Sequence, residues 1–349
     1  MRGSPVAALS VALVACGSHA APSTFASSDA SAEGSPTVLA TVGSLGDLEV
    51  DGTNVYFTDF AGLAGTTHVY SVPVAGGPLT TLGTPADAVG SCGPGAIAAA
   101  GLAQDDANVY FLDGINVGSI AKAGGPVAPL VSLACGGVGG GLRQSGGSLF
   151  WMQVAGDAPE LDALKLAGTA TMAVISQLPL GSSGATAIDG TSYYFSGEAG
   201  VLQRVPLAGG TSTVLMTDPL ARLVTGVAVD GTYAYVALSG GCASPIGGPP
   251  CPAPSPTTSA IVRVPLGGGA AMTIATDYDV AGIAVDGVNV YWIDPYDSVK
   301  WTPLPAEGSS PIAASTLAED PAATIGPVVD AEAVYWGSGA SIARIAKPR

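Results

Sequence analysis

Apolar and polar positions alternate along this chain in short runs, and the runs are punctuated by glycine-rich turns. Alternation over four to eight residues predicts half-buried strands. Seven segments share one pattern: an apolar stretch, Asp-Gly or a substitute, then an aromatic strand. They are DGTNVYF (51–57), DDANVYF (105–111), SGGSLFW (145–151), DGTSYYF (189–195), DGTYAYV (230–236), DGVNVYW (286–292) and DAEAVYW (330–336). After most of them comes a strand ending at a glycine-rich turn, as in VYSVPVAGG (69–77), SIAKAGG (119–125), LQRVPLAGG (202–210) and IVRVPLGGG (261–269). Weaker versions are DALKLAG (162–168) and VKWTPLPAEG (299–308). A short apolar strand then closes the unit, as in PLTTLG (78–83) or STVLMT (212–217). Asp-Gly between apolar runs is a hairpin signal, with glycine supplying positive φ. Each unit therefore reads as four antiparallel strands, a to d.

The central aromatics are Tyr56, Tyr110, Phe150, Tyr194, Tyr235, Tyr291 and Tyr335, at spacings of 54, 40, 44, 41, 56 and 44 residues. A four-stranded propeller blade takes about 40–50 residues. The pattern predicts an all-β, seven-bladed β-propeller over residues 37–349. The seventh unit stops after strand c (341–347) and lacks a strand d. Residues 37–41, TVLAT, match the strand d at 213–217, TVLMT, at four of five positions. The N-terminal strand is therefore expected to complete the last blade, which removes open sheet edges.

The aromatic strands contain YFTD (56–59), YFLD (110–113), YWID (291–294) and YWGS (335–338). These resemble the YWTD repeats of receptor propellers. They are more similar to the Asp-Gly-x-x-Val-Tyr-Trp repeats of bacterial exported propellers. The resemblance covers residues 37–349 and implies the fold, with no shared activity attached to it.

Composition narrows the class further. Lys and Arg number 11 against 27 Asp and Glu, a net charge of −16. So few cations exclude a phosphate-binding surface, and nucleic acid is not an expected partner. Only 11% of residues are charged, which excludes a coiled coil. The mean hydropathy is +0.45, spread along the chain as Ala and Val. No apolar run reaches the roughly 18–20 residues of a spanning helix.

Residues 1–15 carry Arg2 and a ten-residue apolar stretch, the length of a signal-peptide core. The run Leu13-Val14-Ala15-Cys16 resembles a bacterial lipobox, which implies cleavage before Cys16 and acylation of that cysteine. Gly17 rather than Asp follows, so the expected location is the outer membrane, on its periplasmic or surface side, held by the lipid anchor alone. Residues 16–36 are small and polar and read as a tether. The other cysteines are Cys92, Cys135, Cys242 and Cys251. An even count in an exported chain predicts two disulfides, and four cysteines allow three pairings. Cys242 and Cys251 bracket one Pro-rich loop and are natural partners, leaving Cys92 with Cys135.

The chemistry on offer is sparse. The histidines are His19, in the tether, and His68, read as a surface residue. No G-x-S-x-G, H-E-x-x-H or phosphate-loop motif occurs. Asp277-Tyr278-Asp279 resembles the start of a calcium loop, but Ala281 and Val288 stand where later ligands belong. The recurrent Asp51, Asp189, Asp230 and Asp286 read as turn formers, and Trp151, Trp292 and Trp336 as inter-blade core. The chain is therefore expected not to be an enzyme and to carry no cofactor or metal.

The loops b–c and d–a share one face of a propeller. The long stretches 83–101 and 239–259 are a d–a and a b–c loop, so the insertions gather there and mark a binding face. Asp294, Tyr296 and Asp297 lie in a b–c loop of that face, and Trp301 and Tyr278 are further candidates for the contact patch. The function expected is a monomeric, non-catalytic envelope lipoprotein that binds a protein or glycan on this face. The alternatives are a propeller lyase or glycan-active hydrolase, and a structural component of an envelope assembly.

Overall fold

The computed structural model describes residues 34–59, 68–85, 100–113, 116–133, 140–155, 158–167, 171–179, 182–197, 200–240 and 259–349. Cys16, Cys92, Cys135, Cys242 and Cys251 lie outside the described residues, as do the signal segment, most of the tether and the greater part of both insertions. Among the described residues, twenty-eight strands form seven four-stranded antiparallel sheets. Six sheets are simple meanders of consecutive strands. The seventh joins Thr37–Thr41 to Ser341–Ala346, so the N-terminal strand closes the last blade as its outermost strand. The innermost strands a pack blade against blade around a complete circle, with Leu48–Val50 touching both Ala100–Gln104 and Ala323–Val329. The seven-bladed ring expected from the sequence is the observed fold.

The cores lie between blades. Strand b, the most apolar strand, carries the rings that fill them. Trp292 of Asn289–Asp294 packs with Tyr235, Ile261 and Val290. Trp336 of Ala333–Ser338 packs with Tyr291, Ile293 and Val299. Tyr56 packs with Leu102, Val109 and Phe111. Trp151, Trp292 and Trp336 are fully buried, the core role expected of them. A buried large apolar side chain contributes about 1.5–3 kcal/mol, so each inter-blade seam rests mainly on these rings.

Six of the seven a–b turns are held by an aspartate. Asp230 Oδ1 accepts from the amides of Thr232 and Tyr233, both at 2.9 Å. Its Oδ2 accepts from the Tyr235 hydroxyl at 2.6 Å. The same latch links Asp51 to Tyr56, Asp105 to Tyr110, Asp189 to Tyr194, Asp286 to Tyr291 and Asp330 to Tyr335. Glycine proves less general than the sequence suggested. Gly52, Gly231 and Gly287 do adopt positive φ in these turns, but Asp106, Gly190 and Ala331 do not. The carboxylate closes the turn in either geometry. Positive φ is the rule in the c–d turns, at the pairs Gly76-Gly77, Gly209-Gly210 and Gly268-Gly269.

The outer edges share a second device. All seven c–d ladders have a register shift at the same level, as between Ile261 and Val262 or between Val299 and Lys300. A bulge twists an edge strand away from flat pairing. These strands d carry almost no charge, so the bulge stands in for the charged residues that usually protect edges.

Candidate binding face

The b–c and d–a loops of blades five and six are built on a buried ion cluster. Lys300 lies on strand c of blade six (Ser298–Pro303), directly across from Trp292 on strand b. Its Nζ sits 2.7 Å from Asp277 Oδ1, at the end of strand d of blade five, and 2.8 Å from Asp294 Oδ2. Asp297 Oδ1 is 3.9 Å away. Trp292 Nε1 donates to Asp277 Oδ2 at 2.8 Å. Burial alone would lower the Lys300 pKa, but the hydrogen bonds and charges of Asp277 and Asp294 outweigh it and raise it. One ammonium serves several carboxylates, so Asp294 stays under-compensated; burial pushes its carboxyl up against the pull of Lys300.

The same two carboxylates position the exposed part of the face. Asp277 Oδ1 accepts from the Tyr278 amide at 2.8 Å, and Asp294 Oδ1 from the Tyr296 amide at 3.1 Å. Tyr278 and Tyr296 come from loops of different blades, yet their rings meet edge to face, 5.3 Å between centroids. They remain 37% and 55% exposed. Asp297 is exposed beside them. Asp279 Oδ1 accepts from Ser239 Oγ at 2.6 Å and from the Val280 amide at 2.8 Å, which fixes the d–a loop.

Of the residues singled out in the sequence, Tyr278, Tyr296 and Asp297 do gather on one surface. Asp294 lies beneath them, almost fully buried. Trp301 does not belong to the patch. It packs against the core between blades six and seven, because its register on strand c places it opposite Tyr291 rather than at the loop. Lys300 was missed, and Asp277 and Asp279 were weighed only as the start of a calcium loop. The signal was an aspartate closing strand d in successive units: Asp218, Asp277 and Asp320. Asp320 repeats the arrangement of Asp277, accepting from Trp336 Nε1 at 2.7 Å. Asp277 and Asp279 are thus engaged by protein donors, and no metal-binding group of three or more His, Cys, Asp or Glu side chains occurs among the described residues.

A second arrangement lies at the b–c connection of blade one. His68 Nδ1 is 2.9 Å from Asp59 Oδ2, and Tyr70 donates its hydroxyl to the same oxygen at 3.2 Å. Asp59 Oδ1 accepts from the His68 amide. The carboxylate fixes the imidazole by Nδ1, and the side chain is one-third exposed. Reading His68 as an ordinary surface residue overlooked this pairing. Asp59 is the last residue of YFTD, as Asp294 is of YWID, and each binds a basic side chain of its own blade.

No family model matches the chain, and no curated protein does. The fold has close counterparts among solved structures. Virginiamycin B lyase from Staphylococcus aureus is 14% identical with a TM-score of 0.64, over 89% of this chain and 98% of the lyase. A streptogramin B lyase is 13% identical at 0.62, over 88% and 96%. YCF48, solved with a D1 peptide, is 9% identical at 0.61, over 89% and 94%. At such identities the likeness establishes the propeller fold and no activity. It does overturn the expectation that the chain is not an enzyme. Lyases have this ring architecture, so the lack of a familiar catalytic motif does not set the chain apart from enzymes.

Proposed function

We propose that this chain is an exported binding propeller that takes a basic segment of a protein partner on the Tyr278–Tyr296 surface. The observation that carries the reading is the pair of exposed rings held from below by Asp277 and Asp294. Exposed tyrosines on fixed backbone offer contact area at low entropic cost. Asp277, Asp294 and Asp297 surround a single Lys300, and the whole chain carries −16, so the local field favours a cation. YCF48, a propeller of the same shape, is seen with a peptide, which supports a peptide-sized partner. The lipobox-like Cys16 would hold the ring at the outer membrane, and Cys16→Ala would then release it into the soluble fraction.

The test uses an array of Lys- and Arg-containing peptides probed with the purified protein. Binding should weaken with salt, fall at least about tenfold in Tyr296→Ala, and survive Val288→Ala, an exposed change on the opposite face of the same blade. Binding that is absent, or indifferent to Tyr296→Ala, overturns the reading.

The Asp59–His68 pair favours a second reading, acid–base catalysis at the b–c loop of blade one. A carboxylate on Nδ1 orients an imidazole for proton transfer through Nε2. The lyase likeness makes streptogramin B compounds the first substrates to try. Turnover lost in His68→Ala and reduced in Asp59→Asn would support it; turnover unchanged in both would eliminate it.

A further inference from the structure

Blade three carries an inverted copy of the Lys300 cluster. In blade six, Trp292 stands opposite Lys300, and both bind Asp277 of the preceding blade. In blade three the corresponding tryptophan, Trp151, stands opposite Asp162. The position of Asp277 is taken by Leu133, one residue beyond Ser132, the last residue paired in blade two. The ammonium has become a carboxylate, and the carboxylate a leucine. Both consequences are visible. Trp151 Nε1 and both oxygens of Asp162 are buried without a hydrogen-bond partner, and the two residues are fully buried.

The neighbours make the charge worse. Glu160 lies two residues away on the same face of strand c and is also buried. Its Oε1 accepts from Gln153 Nε2 at 2.9 Å and its Oε2 from Gln177 Nε2 at 3.1 Å. Both donors are neutral amides. Gln153 is near enough to draw the Asp162 carboxyl down, yet neither Asp162 oxygen has a partner at hydrogen-bond distance. Val117, Leu133, Leu149 and Leu164, which pack with Trp151 in the same seam, are all apolar. Among the described residues, no cation pairs with Asp162 or Glu160. Lys122 and Lys300 are paired elsewhere, Lys165 is exposed, and Arg143 binds backbone carbonyls.

Two buried carboxylates without a counter-charge are costly. We infer that the seam between blades two and three is a hard-cation site, with Asp162 and Glu160 taking one divalent ion such as calcium. The carboxamide nitrogens of Gln153 and Gln177 turn to Glu160, which leaves their oxygens as further ligands. An all-oxygen donor set suits calcium and not zinc. The exposed Gln177 marks the entry side. The role is structural, and it stands apart from the binding surface of blades five and six.

The test is calorimetric titration of calcium into the full, chelator-treated protein, followed by thermal melting with and without the ion. One calcium per chain and a higher melting temperature are expected. Asp162→Asn should weaken calcium binding at least about tenfold and, without metal, melt above the wild type. Glu160→Gln should weaken binding as well and serves if Asp162→Asn does not fold. No calcium binding by the wild type, or binding by both variants as tight as the wild type's, overturns the proposal.

Discussion

Tyr235 donates its hydroxyl to Asp230, five residues before it, at 2.6 Å, and this single contact ties the a–b turn of blade five to the ring that fills the next seam. Burial alone would raise the Asp230 carboxyl, but the Tyr235 hydroxyl and the amides of Tyr233 and Thr232 outweigh it and hold it below 3.8. Asp51 is held down to about 2, with Lys122 as a further donor. A depressed carboxyl stabilises the fold above its unfolded pKa and loses that contribution as pH falls through its folded pKa. Asp230→Asn should therefore cost about 1–2 kcal/mol at pH 6, and the gap to the wild type should close as the medium is acidified below 3.8. Urea midpoints of the two proteins across this range give the answer. A gap that stays constant with pH would show that the charge of Asp230 plays no part.

Blade three is the exception that tests the latch. Ser145 and Phe150 occupy the places of the aspartate and tyrosine, so both partners are missing together. Phe150→Tyr alone adds a hydroxyl with no carboxylate to receive it and should destabilise by about 1 kcal/mol. Ser145→Asp alone should change little. The double variant should be more stable than the sum of the two singles by about 1 kcal/mol. Additive effects in a double-mutant cycle would argue that the pairing is incidental.

The ring and its closure were legible because each unit repeats the same aromatic, turn and glycine positions, and because residues 37–41 copy a strand d. The site was less legible for a physical reason. Lys300, Asp277 and Asp294 belong to three different strands of two blades, and only the ring brings them together. Trp301 looked like a surface aromatic because a strand c residue facing a seam has the same local sequence as one facing a loop. Asp59 and His68 lie nine positions apart, and neither residue signals the contact alone.

Removing the cation of blade six should be severe. Lys300→Met leaves Asp277 and Asp294 buried without their counter-charge, a loss of about 3–5 kcal/mol. The same change frees the loops that carry Tyr278 and Tyr296, because their amides hang on these two carboxylates. Hydrogen exchange should therefore quicken at 277–280 and 294–298 before the rest of blade six is affected. If the amides stay protected, the ion cluster does not position the face.

The closing strand offers the sharpest contrast, because neighbouring positions on it should respond in opposite ways. Ala40 is buried against strand c of blade seven, while Val38 is 61% exposed on the outer edge. Ala40→Asp would place an unpaired charge in the seam that joins the first and last blades. It should cost several kcal/mol and open the ring at the ladder that pairs the chain's two ends. The open strand c of Ser341–Ala346 would then recruit other copies, so the variant should elute from size exclusion as concentration-dependent aggregates. Val38→Asp keeps the seam and adds a charge to an otherwise uncharged edge. It should leave the urea midpoint within about 0.5 kcal/mol of the wild type and reduce association at high concentration. Equal destabilisation by both would mean that the strand is held by its backbone ladder alone, and that the side chains sealing the seam contribute nothing to closure.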